Sequence, residues 1–180
     1  MAKLNEKNEN TQKIIHLVIT EMCKRNCPMC CNKQYDMNAV EYVTIDELKN
    51  AETIFLTGGE PFLLGPYACS LAAMLRNVYK NIKNIYVYTN AYELAVYLER
   101  KGRLFAIDGV TISIKQTYDY EVFEEELQYN PEILKLKSNW LYTFPGFSDI
   151  KYPKEHFIKK DRVWQEDFVP DPNSIFRRWR

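Results

Sequence analysis

The sequence of 180 residues, of which 46% are hydrophobic, is long enough for one domain with a hydrophobic core and too short for two comfortable ones. Lysine plus arginine (24) equals aspartate plus glutamate (24), so no bulk charge draws the chain onto nucleic acid or a membrane surface, and neither is an expected partner. Because no apolar run reaches the length of a bilayer span, residues 1–12 lack the core of a signal peptide and the cysteines are clustered, we expect a cytoplasmic protein.

The predicted elements alternate between strand and helix along the chain. After a polar leader over residues 1–12, the β-branched run 14–20 predicts a first strand and residues 53–57 predict a second. Between them, Thr44 and Glu47 have the spacing of a capping box that begins a short helix. Further strands are expected over residues 82–90, 110–115 and 139–144, and further helices over residues 66–79, 92–101 and 121–127.

This order of elements favours a parallel sheet with right-handed crossovers. We predict an α/β fold in which about five to six parallel strands form a partial (β/α) barrel over residues 13–147, followed by an irregular extension over residues 148–180. Ligands of such sheets bind at the carboxyl ends of the strands. The polar residues that follow the predicted strands are therefore expected to meet in one cleft.

Three cysteines lie within eight residues directly after the first predicted strand. Cys23, Cys27 and Cys30 have the spacing C-x3-C-x2-C, which lets one short loop offer three thiolates to a metal or an iron–sulfur cluster and leaves one coordination position open. Taken alone, this spacing is also that of a structural zinc hook with Cys31 or Cys69 as fourth ligand. We do not expect Cys31 to be a ligand, because adjacent cysteines rarely point at one metal, and we interpret Cys69 as a small buried hydrophobe.

The sequence Thr57-Gly-Gly-Glu-Pro61 ends the second predicted strand and changes this interpretation. With the cysteine motif after one strand and Gly-Gly-Glu-Pro after the next, residues 13–144 resemble the radical S-adenosylmethionine superfamily. The resemblance implies a partial barrel of the radical S-adenosylmethionine type and a 4Fe-4S cluster held by Cys23, Cys27 and Cys30 as catalytic metal ligands. It implies that this cluster cleaves S-adenosylmethionine to a 5′-deoxyadenosyl radical, which abstracts hydrogen from a substrate.

The resemblance also implies which residues bind the cofactor. In the family, the turn after the second strand binds the methionine amino group, and its glycines let the backbone approach closely. Polar residues at the ends of the following strands lie near the ribose and carboxylate, and the position before the third cysteine is often aromatic. The residues of this chain at these positions are Met29, Gly58, Gly59, Glu60, Pro61, Asn90, Ser113 and Lys115.

The partners are implied less closely than the cofactor. A radical S-adenosylmethionine enzyme needs an electron donor such as flavodoxin or ferredoxin. The sequence Cys27-Pro-Met-Cys-Cys-Asn-Lys33 and the short length resemble the activating enzymes of anaerobic ribonucleotide reductase, whose substrate is a glycyl-radical protein. A small-molecule enzyme resembling 7-carboxy-7-deazaguanine synthase is the comparable alternative. From another class, the alternative is a non-catalytic zinc-binding or iron–sulfur electron-transfer module.

Three ring-bearing residues in the predicted strands have a simpler interpretation. His16 lies inside the first strand, where a single histidine is more often a satisfied core residue than a base. Tyr86 and Tyr88 share one strand face and could line a substrate cavity, but aromatic residues in strands are ordinarily packing residues. We therefore assign none of them a catalytic role.

Overall fold

The computed structural model describes residues 13–27, 30–33, 36–163 and 173–180. The predicted leader at residues 1–12 and the predicted cofactor residue Met29 lie outside the described residues. Among the residues that are described, no helix has both the length and the apolar character needed to cross a membrane.

Within the described residues, seven strands form one sheet, in which every neighbouring pair is parallel. In chain order they are β1 (Ile14–Thr20), β2 (Thr53–Gly58), β3 (Asn84–Asn90), β4 (Gly109–Ile114), β5 (Asn139–Thr143), β6 (Phe157–Asp161) and β7 (Ser174–Arg178). Their order across the sheet is β6-β5-β4-β3-β2-β1-β7, so the sheet is open, with β6 and β7 at its edges. The predicted α/β class and parallel sheet are confirmed.

In the part of the chain that the structure describes, the strands are connected by four α-helices: α1 (Ile45–Asn50), α2 (Gly65–Val78), α3 (Ala91–Glu99) and α4 (Thr117–Tyr129). The predicted capping box at the start of α1 is confirmed. The Thr44 hydroxyl accepts from the Glu47 backbone N–H at 3.2 Å, and the Glu47 carboxylate accepts from the Thr44 N–H at 2.9 Å. A 3₁₀ turn over Pro61–Leu64 leads from β2 into α2.

The two faces of the sheet differ in what covers them. Because side chains alternate along a strand, every second residue of the central strands points to the side where the helices pack. These residues are fully buried aliphatic side chains, among them Ile15, Leu17, Ile54, Leu56, Ile85, Val87, Ile112 and Leu141, and they form one core with apolar residues of α2, α3 and α4. The residues between them are mostly half-buried and aromatic. The α-helices therefore pack against one face of the sheet, and the aromatic side chains lie on the other face.

The sheet has seven strands, whereas the sequence predicts five to six. The segment predicted to be an irregular extension, residues 148–180, contributes β6 next to β5 and β7 next to β1. Both are edge strands and both are rich in charge, with the sequences FIKKD and SIFRR, so they lack the apolar run that marks a buried strand. The strand β6 pairs with the preceding strand β5, whereas the pairing of β7 depends on β1, which is distant along the chain.

Candidate functional site

Backbone hydrogen bonds connect the ends of β1 and β2. The register between these strands shifts between Val18 and Thr20. Beyond the shift, the Gly59 N–H donates to the Thr20 carbonyl and the Glu60 N–H donates to the Met22 carbonyl, both at 2.7 Å. The start of the cysteine loop is therefore hydrogen-bonded to the Gly-Gly-Glu turn.

The two glycines of this turn make that approach possible. Gly58 has φ +122°, and a Cβ atom there would lie 2.1 Å from the Thr20 carbonyl oxygen. A Cβ atom at Gly59 would lie 2.0 Å from the Met22 carbonyl oxygen. Both contacts are far inside van der Waals distance, so a side chain at either position would push the turn away from the loop. What the glycines approach in this structure is the loop backbone.

The three predicted ligands lie on this loop. Cys27 and Cys30 are half-buried, and Cys23 is exposed and accepts a hydrogen bond from the Arg25 N–H at 3.4 Å. Although Cys23 is largely exposed, partial burial of its thiol raises the pKa of that group, and the charges of Glu60, Cys27 and Cys30 raise it further, against the opposing effect of the Arg25 hydrogen bond.

The donor set fits a soft metal or an iron–sulfur cluster, because thiolates are the ligands that such centres prefer. In the described part of the chain, no three His, Cys, Asp or Glu side chains are already gathered as a metal site. The side chain of Cys31 lies outside what the structure describes. Cys69 is fully buried, and its Sγ lies 3.4 Å from the Arg103 carbonyl oxygen, as expected for a residue of the helical core.

An arginine inside the cysteine motif ties the loop to the far side of the site. Arg25 Nη1 donates to Asp119 Oδ2 at 2.9 Å, and Nη2 makes a second bond to Oδ1. Asp119 is fully buried in the first turn of α4 and also accepts the backbone N–H groups of Lys115 (2.9 Å) and Gln116 (3.2 Å). Burial alone would lower the pKa of Arg25, but the hydrogen bonds and charge of Asp119 outweigh it and raise that pKa. The loop is thus fixed above the end of β4.

Two further contacts hold the loop above β2 and β3. Lys24 Nζ lies 3.5 Å from a carboxylate oxygen of Glu93, a buried residue in the first turn of α3. The Asn32 side-chain amide donates to the Gly58 carbonyl. Together with Arg25, these contacts suspend the cysteines over the carboxyl ends of three neighbouring strands, which is where parallel sheets hold their ligands.

Glu60 is the buried centre of a hydrogen-bond network. Its Oε1 accepts from the Thr89 hydroxyl at 2.8 Å and from the Phe62 N–H at 3.2 Å, and its Oε2 accepts from the Asn90 N–H at 2.9 Å and from the Asn90 side-chain amide. Asn90 also caps α3 by accepting the Glu93 N–H at 3.0 Å. The structure therefore brings together two of the predicted cofactor residues, Glu60 and Asn90.

Burial raises the pKa of Glu60 to about 7 from its ordinary 4.5, even though its hydrogen bonds oppose the shift. Between these two values the folded chain holds a proton that the unfolded chain has released. Unfolding then releases a proton, so the free energy of unfolding falls as the pH rises from 4.5 towards 7, by roughly 3 kcal/mol for a shift of this size.

This pH dependence gives a prediction for the metal-free protein. Between about pH 5 and pH 8, the unmodified chain should lose roughly 3 kcal/mol more stability than Glu60→Gln, because glutamine does not titrate. Urea unfolding of both proteins at the two pH values measures this difference. Equal losses in the two proteins would show that Glu60 is ionised throughout the range.

The remaining predicted residues are less tightly grouped. Pro61 is buried at the start of the 3₁₀ turn. Ser113 is half-buried and pairs in register with Asn90 on one side and Tyr142 on the other. Lys115 Nζ lies 5.5 Å from the centre of the Phe144 ring, just beyond β5. The structure therefore places Ser113 beside the Glu60 network. Lys115 lies farther along the sheet, next to an aromatic ring just beyond β5.

The sheet face that the helices leave free carries a continuous row of rings. His16 stacks on Phe55 with centroids 5.0 Å apart and planes 12° apart, and Phe55 stacks on Tyr86 at 5.1 Å. Tyr88 lies 5.4 Å from Phe55 and 6.0 Å from Tyr142. These residues are half-buried, so they pack against one another and also bound the space above the sheet. His16 is part of this stack and not of the aliphatic core beneath the helices, where it is expected from the sequence.

Sequence reasoning missed the residues that position the predicted ones. Arg25 and Asp119 are 94 positions apart, and Glu60 and Thr89 are 29 apart, so no local motif connects them. One signal was available, because Asp119 is an acidic residue in the first turn of a helix that follows a strand end.

No family model and no curated protein matches this chain. The features of the chain that bear on its function are therefore those of the site itself, namely the donor set of the cysteine loop and its junction with the Gly-Gly-Glu turn.

Proposed function

We propose that this chain is a small cytoplasmic radical S-adenosylmethionine enzyme that binds one 4Fe-4S cluster through Cys23, Cys27 and Cys30. The observation that carries the proposal is the junction between the cysteine loop and the Gly-Gly-Glu turn, where the Gly59 and Glu60 N–H groups donate to the Thr20 and Met22 carbonyls at 2.7 Å. A zinc hook needs only its own ligands. It has no reason to be joined to a glycine pair and a buried carboxylate on the next strand.

The chemistry of the proposed reaction belongs to the cofactor. When bound and reduced, the cluster would supply the electron that splits the sulfonium carbon–sulfur bond of S-adenosylmethionine, from which a 5′-deoxyadenosyl radical arises to abstract hydrogen from a substrate. The protein would contribute binding, orientation and protection from competing reactions.

The residues of the chain have distinct parts in this proposal. The three thiolates would hold the cluster and leave one position open for the cofactor. Glu60 is buried behind the loop with two hydrogen bonds on each carboxylate oxygen, so it would bind a methionine ammonium group by exchanging one of these bonds, while Asn90 fixes its orientation. The aromatic row that begins at His16 would bound the substrate space and limit the access of water. The substrate is either a glycyl-radical protein or a small molecule.

The test is anaerobic reconstitution with iron and sulfide, followed by reduction with dithionite and incubation with S-adenosylmethionine. The proposal predicts a brown protein with four irons per chain that forms 5′-deoxyadenosine and methionine. Chromatography of the products measures both. A tetrahedral zinc site in X-ray absorption would instead identify the non-catalytic zinc module. A stable cluster that yields neither product under dithionite or a photochemical reductant would identify an electron-transfer module.

A further inference from the structure

A groove of about 940 Å³ opens beside Cys23 on the helical side of the sheet. We call it the Cys23 groove. It is lined by residues from three segments: residues 22–24 of the cysteine loop, residues 62–70 around the start of α2, and residues 93–105, which comprise most of α3 and the turn after it. The lining of the groove therefore includes both a proposed cluster ligand and the turn after α3.

The floor of the Cys23 groove is apolar and held in place. The Tyr97 ring lies between two glycines, because a Cβ atom at Gly65 would lie 2.4 Å from Tyr97 Cδ2 and one at Gly102 would lie 2.5 Å from Cε2. Phe62 packs against the same ring with centroids 5.2 Å apart. The Tyr97 hydroxyl donates to the Arg103 carbonyl at 3.0 Å and accepts the Arg103 N–H at 3.2 Å. These contacts tie the turn after α3 to the floor, so the groove is formed before any partner binds.

The rim of the groove is positively charged. Arg100, Lys101 and Arg103 are exposed, and in the described part of the chain no carboxylate forms an ion pair with any of them. The only described carboxylate in the lining is Glu93, which is buried and paired with Lys24 at 3.5 Å. The whole sequence has a formal charge of zero. The cations are thus concentrated locally, as on a surface that attracts an acidic partner.

An exposed aromatic side chain completes this surface. Phe105 lines the groove with 46% of its surface exposed. An apolar ring surrounded by arginine and lysine side chains is the composition of a protein-binding surface. A site for a small phosphate or carboxylate ligand would instead aim buried donors at the anion. Here the cations lie on the rim and are exposed, which favours the acidic surface of a macromolecule.

We propose that the Cys23 groove is the docking surface of a small acidic electron-transfer protein. This inference rests on the proposed function, because it identifies where the required electron enters. A partner seated in the groove would lie directly beside Cys23, a proposed ligand of the cluster. The step would be a transfer of one electron: the reduced partner would be oxidised by one electron, the cluster held by Cys23, Cys27 and Cys30 would be reduced by one, and no bond or proton would be transferred.

The test reverses the charge of the rim and uses a flavodoxin as the acidic probe. The variant is Arg100→Glu/Lys101→Glu/Arg103→Glu. Its fold should persist, because Arg103 contacts Tyr97 through its backbone and the three side chains are exposed. A matched control makes the same change of charge at exposed lysines outside the groove lining, with the substitutions Lys80→Glu, Lys135→Glu and Lys154→Glu.

The first measurement is binding of oxidised flavodoxin to each metal-free protein, at about 20 mM and about 200 mM salt, followed by the flavin signal. We expect the rim variant to bind at least about tenfold more weakly than the unmodified protein at low salt, and the control to change by less than about twofold. Binding by the unmodified protein should weaken as salt rises. Equal weakening in the rim variant and the control, or no binding by the unmodified protein at low salt, would overturn the proposal.

The second measurement separates docking from chemistry. In the reconstituted protein, the rim variant should lose at least about tenfold in S-adenosylmethionine cleavage driven by flavodoxin and keep the rate driven by dithionite. If dithionite gives no cleavage even in the unmodified protein, the proposed function fails while the binding measurement still decides the docking surface. If inorganic phosphate at low millimolar concentration displaces the flavodoxin, the groove is a small-anion site and the proposal is wrong.

Discussion

Cys27→Ala is expected to abolish iron binding and S-adenosylmethionine cleavage together, whereas Cys31→Ala should preserve both. Three thiolates are the minimum with which this loop can hold a cluster that leaves one iron open to the cofactor, so the loss of one removes the site. Iron and sulfide content after anaerobic reconstitution, the visible absorption of the cluster and the yield of 5′-deoxyadenosine measure the result.

Cys69→Ala provides a matched control for this experiment. Cys69 carries a thiol, as Cys27 does, but it is fully buried in α2. Its substitution by a slightly smaller apolar residue should cost about 1 kcal/mol of stability and no iron. Loss of the cluster in Cys31→Ala would show that the ligand assignment is wrong. Retention of full iron content in Cys27→Ala would exclude this loop as the cluster site.

The central part of the fold is predictable because its signals are local. Residues 14–20 are apolar and β-branched, and the Thr44 and Glu47 pair marks a helix start through contacts only three positions apart. These signals determine where an element begins or ends regardless of the rest of the chain. The alternation of such elements then restricts the sheet to parallel strands with crossover helices.

The two edge strands could not be predicted from such local signals. The strand Phe157–Asp161 contains three charged residues, and one of its faces is exposed to solvent. The strand Ser174–Arg178 pairs with Ile14–Thr20, which lies more than 150 positions earlier in the sequence. An edge strand is selected by the backbone groups of one neighbour, and this selection leaves little trace in its own composition.

The residues of the site are likewise divided into those that continuous motifs predict and those that come from distant parts of the chain. The spacing of the cysteines and the Gly-Gly-Glu turn could be recognised from the sequence, because each motif is continuous. The residues that hold the site in position could not be recognised from the sequence. Glu60 meets Thr89, and Arg25 meets Asp119, only because the parallel strands of one sheet bring their carboxyl ends to one level. The residues that determine the orientation of a site therefore come from several elements, whereas those that define its chemistry lie in one or two.

The largest effect on stability is expected from Asp119→Ala. Asp119 is fully buried, and its removal leaves the Arg25 guanidinium, with only 17% of its side chain exposed, without its carboxylate. It also leaves the N–H groups of Lys115 and Gln116 without their acceptor. Breaking a buried pair by removing one partner typically costs about 3–5 kcal/mol. Urea unfolding of the metal-free protein should show a loss of this size.

A second substitution in the same loop calibrates this result. Lys24 forms an ion pair with Glu93 at 3.5 Å, but 67% of its side chain is exposed. Lys24→Gln leaves the buried Glu93 carboxylate unpaired but removes one exposed contact only, so it should cost about 1–2 kcal/mol, less than Asp119→Ala. If Asp119→Ala costs less than about 1 kcal/mol, the Arg25 pair does not hold the loop, and the cysteines must be positioned by the backbone junction at Gly59 and the contacts of Lys24 and Asn32.

The position of the loop can be followed separately from global stability. If Arg25 and Asp119 hold the cysteines above the sheet, either Arg25→Gln or Asp119→Asn should make Cys27 and Cys30, which are half-buried, react faster with a thiol reagent in the folded protein. The double variant should react no faster than the single ones, because both substitutions break the same contact. Additive acceleration would mean that the two residues act on the loop independently. A non-additive result would identify this pair as the link between the cysteine motif and the end of β4, 94 positions away in sequence.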